Sequence, residues 1–351
     1  MTFEKSKWME LPREIYAGHD VLKNIGGMCR RFGFGPNALI VTGEKTYEIA
    51  GKIVKDILEE AKFTVDVIKT GVANRINLEK VKKKGEECNF LVGVGGGSKI
   101  DLAKKASYDL GIPFISVPTN AAHDGIASPR ASIKDNGTSI SMLAQEPMGV
   151  VADTGIIIQA PYRYLAAGAA DVIANITAIK DWELAHKLRN ESFSTTAYGI
   201  AQYSAQAIIE NADLIKPNLE ESAWIVVKAI IVSGMAMSIA NSSRPGSGSE
   251  HLFAHALEKI APGKALHGEM VGVGTIMMMY LHGGDWKRIR EVLRKIGAPT
   301  TAKELGVEDE EIIEALTIAH KIRDRYTILG VRGLTKEAAE NLARITGVIG
   351  R

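Results

Sequence analysis

Short apolar runs rich in β-branched residues alternate with helical patterns through the first part of the chain, and this order restricts the available folds. Apolar residues recur at helical spacing between the runs, as in Tyr47 to Ala61. A strand, helix, strand order predicts a parallel sheet with right-handed crossovers. We therefore expect an α/β domain with a Rossmann-like sheet over residues 1–160. The expected strands are 38–43, 63–68, 90–94 and 113–118.

The pattern changes near Pro161, after which Ala-rich helical segments follow one another with no convincing strand between them. With 351 residues the chain is long enough for two domains, each with its own core. We expect an all-helical domain over residues 161–351 that carries the metal and substrate site. A cleft between two such domains is a preferred place for a small-molecule site.

Charge and terminal sequence exclude several classes of partner. The formal net charge is +2, from 43 basic and 41 acidic residues, which argues against a nucleic-acid partner. The N-terminal residues carry no apolar core of a secretory signal, and the longest apolar stretches are interrupted and short for a bilayer span. We expect a cytoplasmic protein without a membrane span, and the apolar helices leave room for a homo-oligomer interface.

A triple glycine follows the third expected strand directly. Gly95, Gly96 and Gly97 allow close approach of the backbone to a ligand, and Ser98 can cap the helix that follows, with Asp101 at capping-box spacing. The N-terminal amides of such a helix form an anion site, so the turn suits a pyrophosphate. An ordinary strand-to-helix turn has the same composition. The spacing is that of neither G-x-G-x-x-G nor the P-loop.

The helical half contains residues suited to a divalent metal. His251 and His255 lie four apart on an expected helix and share a face, and His267 follows a glycine-containing turn. Asp171 sits in a small, apolar helix, where a carboxylate is costly unless it is paired or metal-bound. One carboxylate and two imidazoles with an open position suit catalytic zinc or iron. Alternatively, the histidine pair only packs or caps.

Five motifs occur together and in order: GVGGGSKIDLAK, VPTNAAHDGIASPRASI, the helix of Asp171, GSGSEHLFAHALE and ALHGEMVGVGT. In this combination the chain resembles the superfamily of iron-containing alcohol dehydrogenases, glycerol dehydrogenases and dehydroquinate synthases. Over essentially its whole length it resembles one branch in particular, the sn-glycerol-1-phosphate dehydrogenases. The resemblance implies a dehydroquinate synthase-like fold with Zn²⁺ and NAD(P)H as cofactors.

The resemblance also implies roles for individual residues. Zinc would be bound by Asp171, His251 and His267, with Asp171 also near the substrate. Asp124 and His255 would contact the substrate, and either could relay the proton in catalysis. The residues expected to bind the cofactor are Gly95, Gly96, Gly97, Ser98, Lys99, Asp101, Thr119, Asn120, Ala121, Ala122 and Ser128.

The implied reaction is reduction of dihydroxyacetone phosphate to sn-glycerol 1-phosphate, the backbone of archaeal-type ether lipids. The phosphate needs a cationic partner, and Arg130 and Arg244 are candidates because a guanidinium can bind phosphate bidentately. Past the second expected strand, Lys69 to Arg75 contains no acid that would repel a 2′-phosphate, so we expect use of both NADH and NADPH.

Three other functions remain open from the sequence. A glycerol dehydrogenase would keep the metal site and act on an unphosphorylated polyol. A dehydroquinate synthase-like lyase would need a denser set of basic residues around the substrate than the sequence near the histidines contains. A non-enzymatic helical module could hold a structural metal, although an open coordination position argues against it.

Overall fold

The computed structural model describes residues 9–135 and 138–350; the side chains of Asp124, Thr138 and Ser139 lie outside this description. The described strands are β1 (Glu14–Gly18), β2 (Asn37–Thr42), β3 (Thr64–Lys69), β4 (Phe90–Gly95), β5 (Phe114–Pro118), β6 (Arg130–Asp135), β7 (Thr138–Leu143) and β8 (Gly149–Asp153). The four strands expected from the sequence are β2 to β5, and they are confirmed. β1, β8 and the β6–β7 hairpin were not expected.

Six strands form one parallel sheet in the order β1-β8-β5-β4-β2-β3, and β6 and β7 form a separate antiparallel pair. Every residue of β4, β5 and β8 is buried, which is typical of a parallel sheet covered by helices on both faces. β1 reaches the sheet only by pairing with β8, more than 130 positions later in the chain. Such pairing leaves no local pattern in the sequence.

Helices cover the sheet and make up the remaining elements after β8. The α-helices are α1 (Ile25–Arg31), α2 (Glu44–Thr46), α3 (Lys52–Glu60), α4 (Arg75–Gly85), α5 (Gly97–Leu110), α6 (Thr154–Ile157), α7 (Tyr162–Ile173), α8 (Asn175–Arg189), α9 (Thr195–Glu210), α10 (Glu220–Ala240), α11 (Ser249–Ile260), α12 (His267–Leu281), α13 (Trp286–Lys295), α14 (Ala302–Leu305), α15 (Asp309–Ile318) and α16 (Lys336–Ile345).

The expected fold class is confirmed: a parallel α/β sheet precedes a helical half. One apolar cluster includes buried residues of both halves, from Leu39 in β2 to Ile349 near the C-terminus. The expected division into two domains at residue 160 stays a prediction.

One helix of the described chain, α10, is long and apolar enough to cross a bilayer by length and composition. The most apolar 18-residue stretch of α10 has a mean hydropathy of 1.9, but 61% of this stretch is buried inside the protein. Burial of this extent is typical of a helix in a protein core, and α10 packs closely against α9.

Close backbone contacts pack helices α7 and α12 against each other and against the end of β5. A Cβ on Gly168 of α7 would overlap the carbonyl of Ala121, which follows β5. Gly268 of α12 stands equally close to the carbonyl of Ala167 in α7. Because glycine alone permits these distances, α7 is held between the sheet edge and α12.

Candidate active site

Asp171, His251 and His267 come together although three different helices carry them. Asp171 lies near the end of α7, His251 in the first turn of α11, and His267 is the first residue of α12. Their ligand-type atoms all lie within 4.8 Å of one another. Asp171 is 1% exposed and His251 is 6% exposed, and Nε2 of His251 lies 3.3 Å from Oδ1 of Asp171.

In both His251 and His267, the ring nitrogen Nδ1 is hydrogen-bonded to a carboxylate. Nδ1 of His251 lies 2.9 Å from Oε1 of Glu250, and Nδ1 of His267 lies 2.7 Å from Oε1 of Glu258. A carboxylate only accepts, so each Nδ1 donates and each Nε2 faces the group. This outer support is how metal-binding histidines are commonly oriented. The three residues therefore fit a divalent metal with one carboxylate and two imidazole ligands.

The electrostatics of the group agree with that fit. Burial opposes a charge on His251, but its bonds to Asp171 and Glu250 raise its pKa to about 10. The pKa of His267 is also raised, against the effect of burial, by Glu258. Imidazoles that favour a proton in such a buried place indicate local negative potential, which a bound cation would neutralise.

The triple glycine lies at the carboxyl end of β4, where ligands of open α/β sheets bind. Gly95 has φ 152°, in the region that favours glycine, and Gly96 is the N-cap of α5. Gly97 begins the helix, and a Cβ there would overlap the imidazole of His123. Ser98 is therefore inside the helix, and the expected cap by its side chain is wrong. Asp101 instead accepts from the backbone N–H of Ser132 at 3.1 Å.

Three other residues expected to bind the cofactor contact this turn, namely Thr119, Asn120 and Lys99. The backbone N–H of Thr119 donates to the carbonyl of Gly95 at 3.0 Å, and Asn120 lies against Gly96. Lys99 extends past Gly43 to donate to the carbonyl of Gly71. Burial lowers the pKa of Lys99.

A cavity of about 350 Å³ extends from the glycine turn to Asp171, His251 and His267. Of the residues expected at the site, it is lined by Gly97, Ser98, Asp101, Ala122, Ser128, Arg130, Asp171, His251, His255 and His267. Those that do not line it are Gly95, Gly96, Lys99, Thr119, Asn120, Ala121 and Arg244. Asp124 was also expected at the site, but its side chain lies outside the described part of the structure.

The structure treats the two candidate phosphate arginines differently. Arg130 lines the cavity and donates to the hydroxyl and the carbonyl of Ser141, at 3.4 and 3.3 Å. Arg244 is 3% exposed, donates twice to Glu191 and reaches the carbonyl of Tyr326 at 2.8 Å. Its donors are engaged, so the structure does not bring Arg244 to the cavity.

A second arginine at the cavity, Arg323, was missed by sequence reasoning. Its guanidinium nitrogen lies 2.9 Å from Nε2 of His255. Burial and the charge of Arg130 lower the pKa of Arg323 against the effect of Glu258, and both arginines line the same cavity. Among the described side chains, no carboxylate lies within ion-pair distance of either arginine. Because Arg323 is 68 positions from His255 in an irregular segment, no sequence pattern pointed to it.

Glu250 and Glu258 were also missed, although both had a local signal. Glu250 precedes His251, and Glu258 lies three positions after His255, on the same side of α11. Glu250 is fully buried and additionally accepts from Thr177 Oγ1 at 2.8 Å. Carboxylates next to histidines that are expected to bind a metal could have been interpreted as hydrogen-bond partners of those histidines.

A sequence profile described as iron-containing alcohol dehydrogenase matches residues 16–161. Glycerol-1-phosphate dehydrogenase (NAD(P)+) of Methanosarcina barkeri is 60% identical over 347 residues, which are 98% of this chain and 97% of the relative. The protein of the same name from Methanothermobacter thermautotrophicus is 54% identical over 97% of this chain and 99% of its own.

Solved structures share the fold at low sequence identity. Glycerol dehydrogenase from Schizosaccharomyces pombe superposes with a TM-score of 0.82 at 20% identity, over 98% of this chain and 91% of its own. Sulfoacetaldehyde reductase from Bifidobacterium kashiwanohense, solved in complex with NAD+, gives 0.77 at 15% identity over the full length of both chains. Full-length identity above half with curated relatives shows that the chain is an oxidoreductase and belongs to the glycerol-1-phosphate dehydrogenase family.

Proposed function

We propose that the chain reduces dihydroxyacetone phosphate to sn-glycerol 1-phosphate, with NAD(P)H as hydride donor and zinc as the metal, to supply the backbone of ether lipids. One observation carries the proposal: Asp171, His251 and His267 open onto the same cavity as the glycine turn, and Arg130 and Arg323 also line it. The relatives' name supports the product and the cofactor class.

The chain's own residues suggest how the substrate is arranged. Asp171, His251 and His267 would hold the metal near the ketone oxygen, while Arg130 and Arg323 would bind the phosphate. When bound, the metal would polarise the carbonyl and the nicotinamide would supply the hydride to C2. Asp124 stays a proposed proton relay to the resulting alkoxide. The products are sn-glycerol 1-phosphate and NAD(P)+.

The N-terminal end of α5 would hold the pyrophosphate of the cofactor. Backbone amides at Gly97 and Ser98 are directed out of the first turn, and the helix dipole favours an anion there. His123 lies against this turn with Nδ1 accepting from the N–H of Gly125 at 2.8 Å. Its Nε2 is therefore the protonated nitrogen of the neutral ring.

We still propose that the enzyme uses both NADH and NADPH. The residues that would contact the ribose, however, are now expected after β2 instead of β3. The sheet order places β2, not β3, beside the glycine-bearing β4. The ribose is thus expected at the end of β2, where Gly43 and Glu44 follow. Glu44 pairs with Lys69 at 2.8 Å, so its charge is already compensated. Comparable kcat/KM for the two cofactors is expected, and a hundred-fold preference for NADH would contradict it.

The proposed function is tested by oxidation of NADH with dihydroxyacetone phosphate, before and after chelation, and by a chiral assay of the product. We expect turnover that is lost with the metal, restored by zinc and specific for sn-glycerol 1-phosphate. Asp171→Asn, which keeps the size of the side chain, should lose metal and turnover together. Equal kcat/KM on unphosphorylated dihydroxyacetone would instead indicate a glycerol dehydrogenase.

Location and quaternary state stay predictions of the sequence. A small, water-soluble substrate and the burial of α10 support a cytoplasmic enzyme without a membrane span. Size-exclusion chromatography with light scattering would test the expected homo-oligomer.

A further inference from the structure

His255 has both ring nitrogens engaged, and their partners determine which nitrogen carries the proton. Arginine is always a donor, so Nε2 of His255 accepts from the guanidinium of Arg323 at 2.9 Å. Nδ1 then carries the proton of the neutral ring and donates to Oε2 of Glu258 at 3.0 Å. The direction of both hydrogen bonds follows from chemistry alone, and it leaves His255 no N–H facing the cavity.

Glu258 continues the connection to the metal-type group. Its second oxygen accepts from Nδ1 of His267 at 2.7 Å, while the rings of His255 and His267 lie 5.1 Å apart. One hydrogen-bonded chain thus runs from His267 through Glu258 and His255 to Arg323. Helix α11 supplies its two middle members, so the spacing between metal site and guanidinium is set by one rigid element.

We propose that His255 and Glu258 are positioning residues that hold Arg323 against the substrate's phosphate, and that His255 is not the proton donor. The proposal rests on the proposed function, because it concerns the phosphorylated end of that substrate. It replaces the relay role that the sequence suggested for His255.

The contrast with Arg244 explains why a histidine is suited to this position. Glu191 binds Arg244 directly and compensates its charge. Arg323 is instead fixed by an uncharged imidazole, with the carboxylate of Glu258 one residue further away. The guanidinium keeps a fixed direction and its charge remains available for a dianion. An orientation made before binding reduces the cost of ordering the side chain with the substrate.

A relay role would require a different arrangement of the same atoms. His255 would need a proton on Nε2, and Arg323 would have to leave that nitrogen because two donors repel. The two arrangements predict different results for glutamine at position 255. Glutamine offers an amide oxygen and N–H in similar positions but does not transfer protons at neutral pH.

The experiment compares His255→Gln, His255→Ala, Arg323→Ala and the double variant His255→Ala/Arg323→Ala in the zinc-loaded enzyme. kcat and KM are measured on dihydroxyacetone phosphate, together with the inhibition constant of inorganic phosphate and zinc per chain. His186→Gln serves as the matched control, since this partly buried histidine of α8 contacts Phe193 and the Glu191 carbonyl, outside the cavity.

We expect His255→Gln to keep kcat within about threefold of the parent enzyme. His255→Ala should raise KM for dihydroxyacetone phosphate and the phosphate inhibition constant by about 10- to 100-fold, as for loss of a charge-assisted contact. The double variant should resemble Arg323→Ala, because His255 acts through that arginine. Zinc content should stay the same.

A fall in kcat of His255→Gln by about a hundred-fold or more, with KM and the phosphate inhibition constant unchanged, would overturn the proposal in favour of proton transfer. Additive effects of the two alanine substitutions would also overturn it. If the parent enzyme itself does not turn over dihydroxyacetone phosphate, the proposed function fails instead. The two failures are therefore separate.

Discussion

Glu146 is a buried carboxyl group whose ionisation should weaken the fold. It follows the β6–β7 hairpin, is 5% exposed, and accepts a hydrogen bond from the hydroxyl of Ser238 in α10. Burial raises its pKa to about 8, although the Ser238 bond and the charge of Lys104 act in the opposite direction. Below about pH 8 the carboxyl group is therefore neutral. Its hydrogen bond with Ser238 connects the sheet-containing half of the chain to the helical half.

The sign and size of the effect follow from the two pKa values. A carboxyl with the ordinary value of 4.5 in the unfolded chain and about 8 in the folded protein binds more protons when folded. Its contribution is favourable below pH 4.5 and is lost as pH rises through about 8. The values differ by about 3.5, and each unit corresponds to 1.36 kcal/mol, so full ionisation costs at most ~5 kcal/mol.

The perturbation that tests this is Glu146→Gln, which keeps an acceptor for Ser238 but does not ionise. We expect the variant to be more stable than the parent protein by about 2 to 5 kcal/mol at pH 9, and to differ little at pH 5. Urea unfolding of both proteins at these two pH values, in the presence of a chelator, measures the difference.

Glu304→Gln provides a control of opposite sign. Hydrogen bonds from Thr300 and Thr301 lower the pKa of Glu304 against the effect of burial. Its contribution is therefore present above its unfolded pKa and is lost as pH falls. Replacing it should lower stability at pH 9 rather than raise it. An equal pH dependence of stability in the parent protein and in Glu146→Gln would refute the reasoning about Glu146.

Two further substitutions test the proposed metal and cofactor sites. Glu258→Gln should weaken zinc affinity by about 10- to 100-fold, because a neutral amide supports His267 less than a carboxylate does. Competition with a chromogenic chelator measures the affinity. An unchanged affinity would argue against Glu258 as the partner of a metal ligand. Gly97→Ala should raise KM for NADH without loss of zinc, because the added Cβ would overlap the imidazole of His123, which the N–H of Gly125 holds in place. Gly199→Ala, in a helix position with open space, is its control, and an unchanged KM in Gly97→Ala would contradict the proposed pyrophosphate site at the start of α5.

The cationic surroundings of the cavity also show a limit of sequence reasoning. The segment near the histidines is sparse in basic residues, which argued against a lyase. In the structure Arg323 and Arg325 approach from a segment about 70 positions later, and Arg325 donates to Ser243 Oγ at 2.7 Å. Burial and neighbouring arginines lower the pKa of Arg325 to about 9. Similarity to curated relatives, rather than a shortage of charge, separates this chain from the lyases.

Local periodicity and glycine placement determined much of the fold in advance. β2 to β5 are continuous buried runs, and the triple glycine marks the end of β4, because strand burial and a tight turn depend on neighbouring residues. The grouping of Asp171, His251 and His267 came from the resemblance, since periodicity does not show that residues on three helices meet. The structure now brings them within 4.8 Å.

Only the tertiary structure decided the contacts between distant segments. The pairing of β1 with β8, the engagement of Arg244 by Glu191, and the approach of Arg323 to His255 each join residues separated by 50 positions or more. Such contacts depend on how complete elements pack, and the residues involved carry no matching local pattern. The sequence therefore predicted the chemistry of the site, whereas long-range packing decided which arginines line the cavity and which nitrogen of His255 faces Arg323.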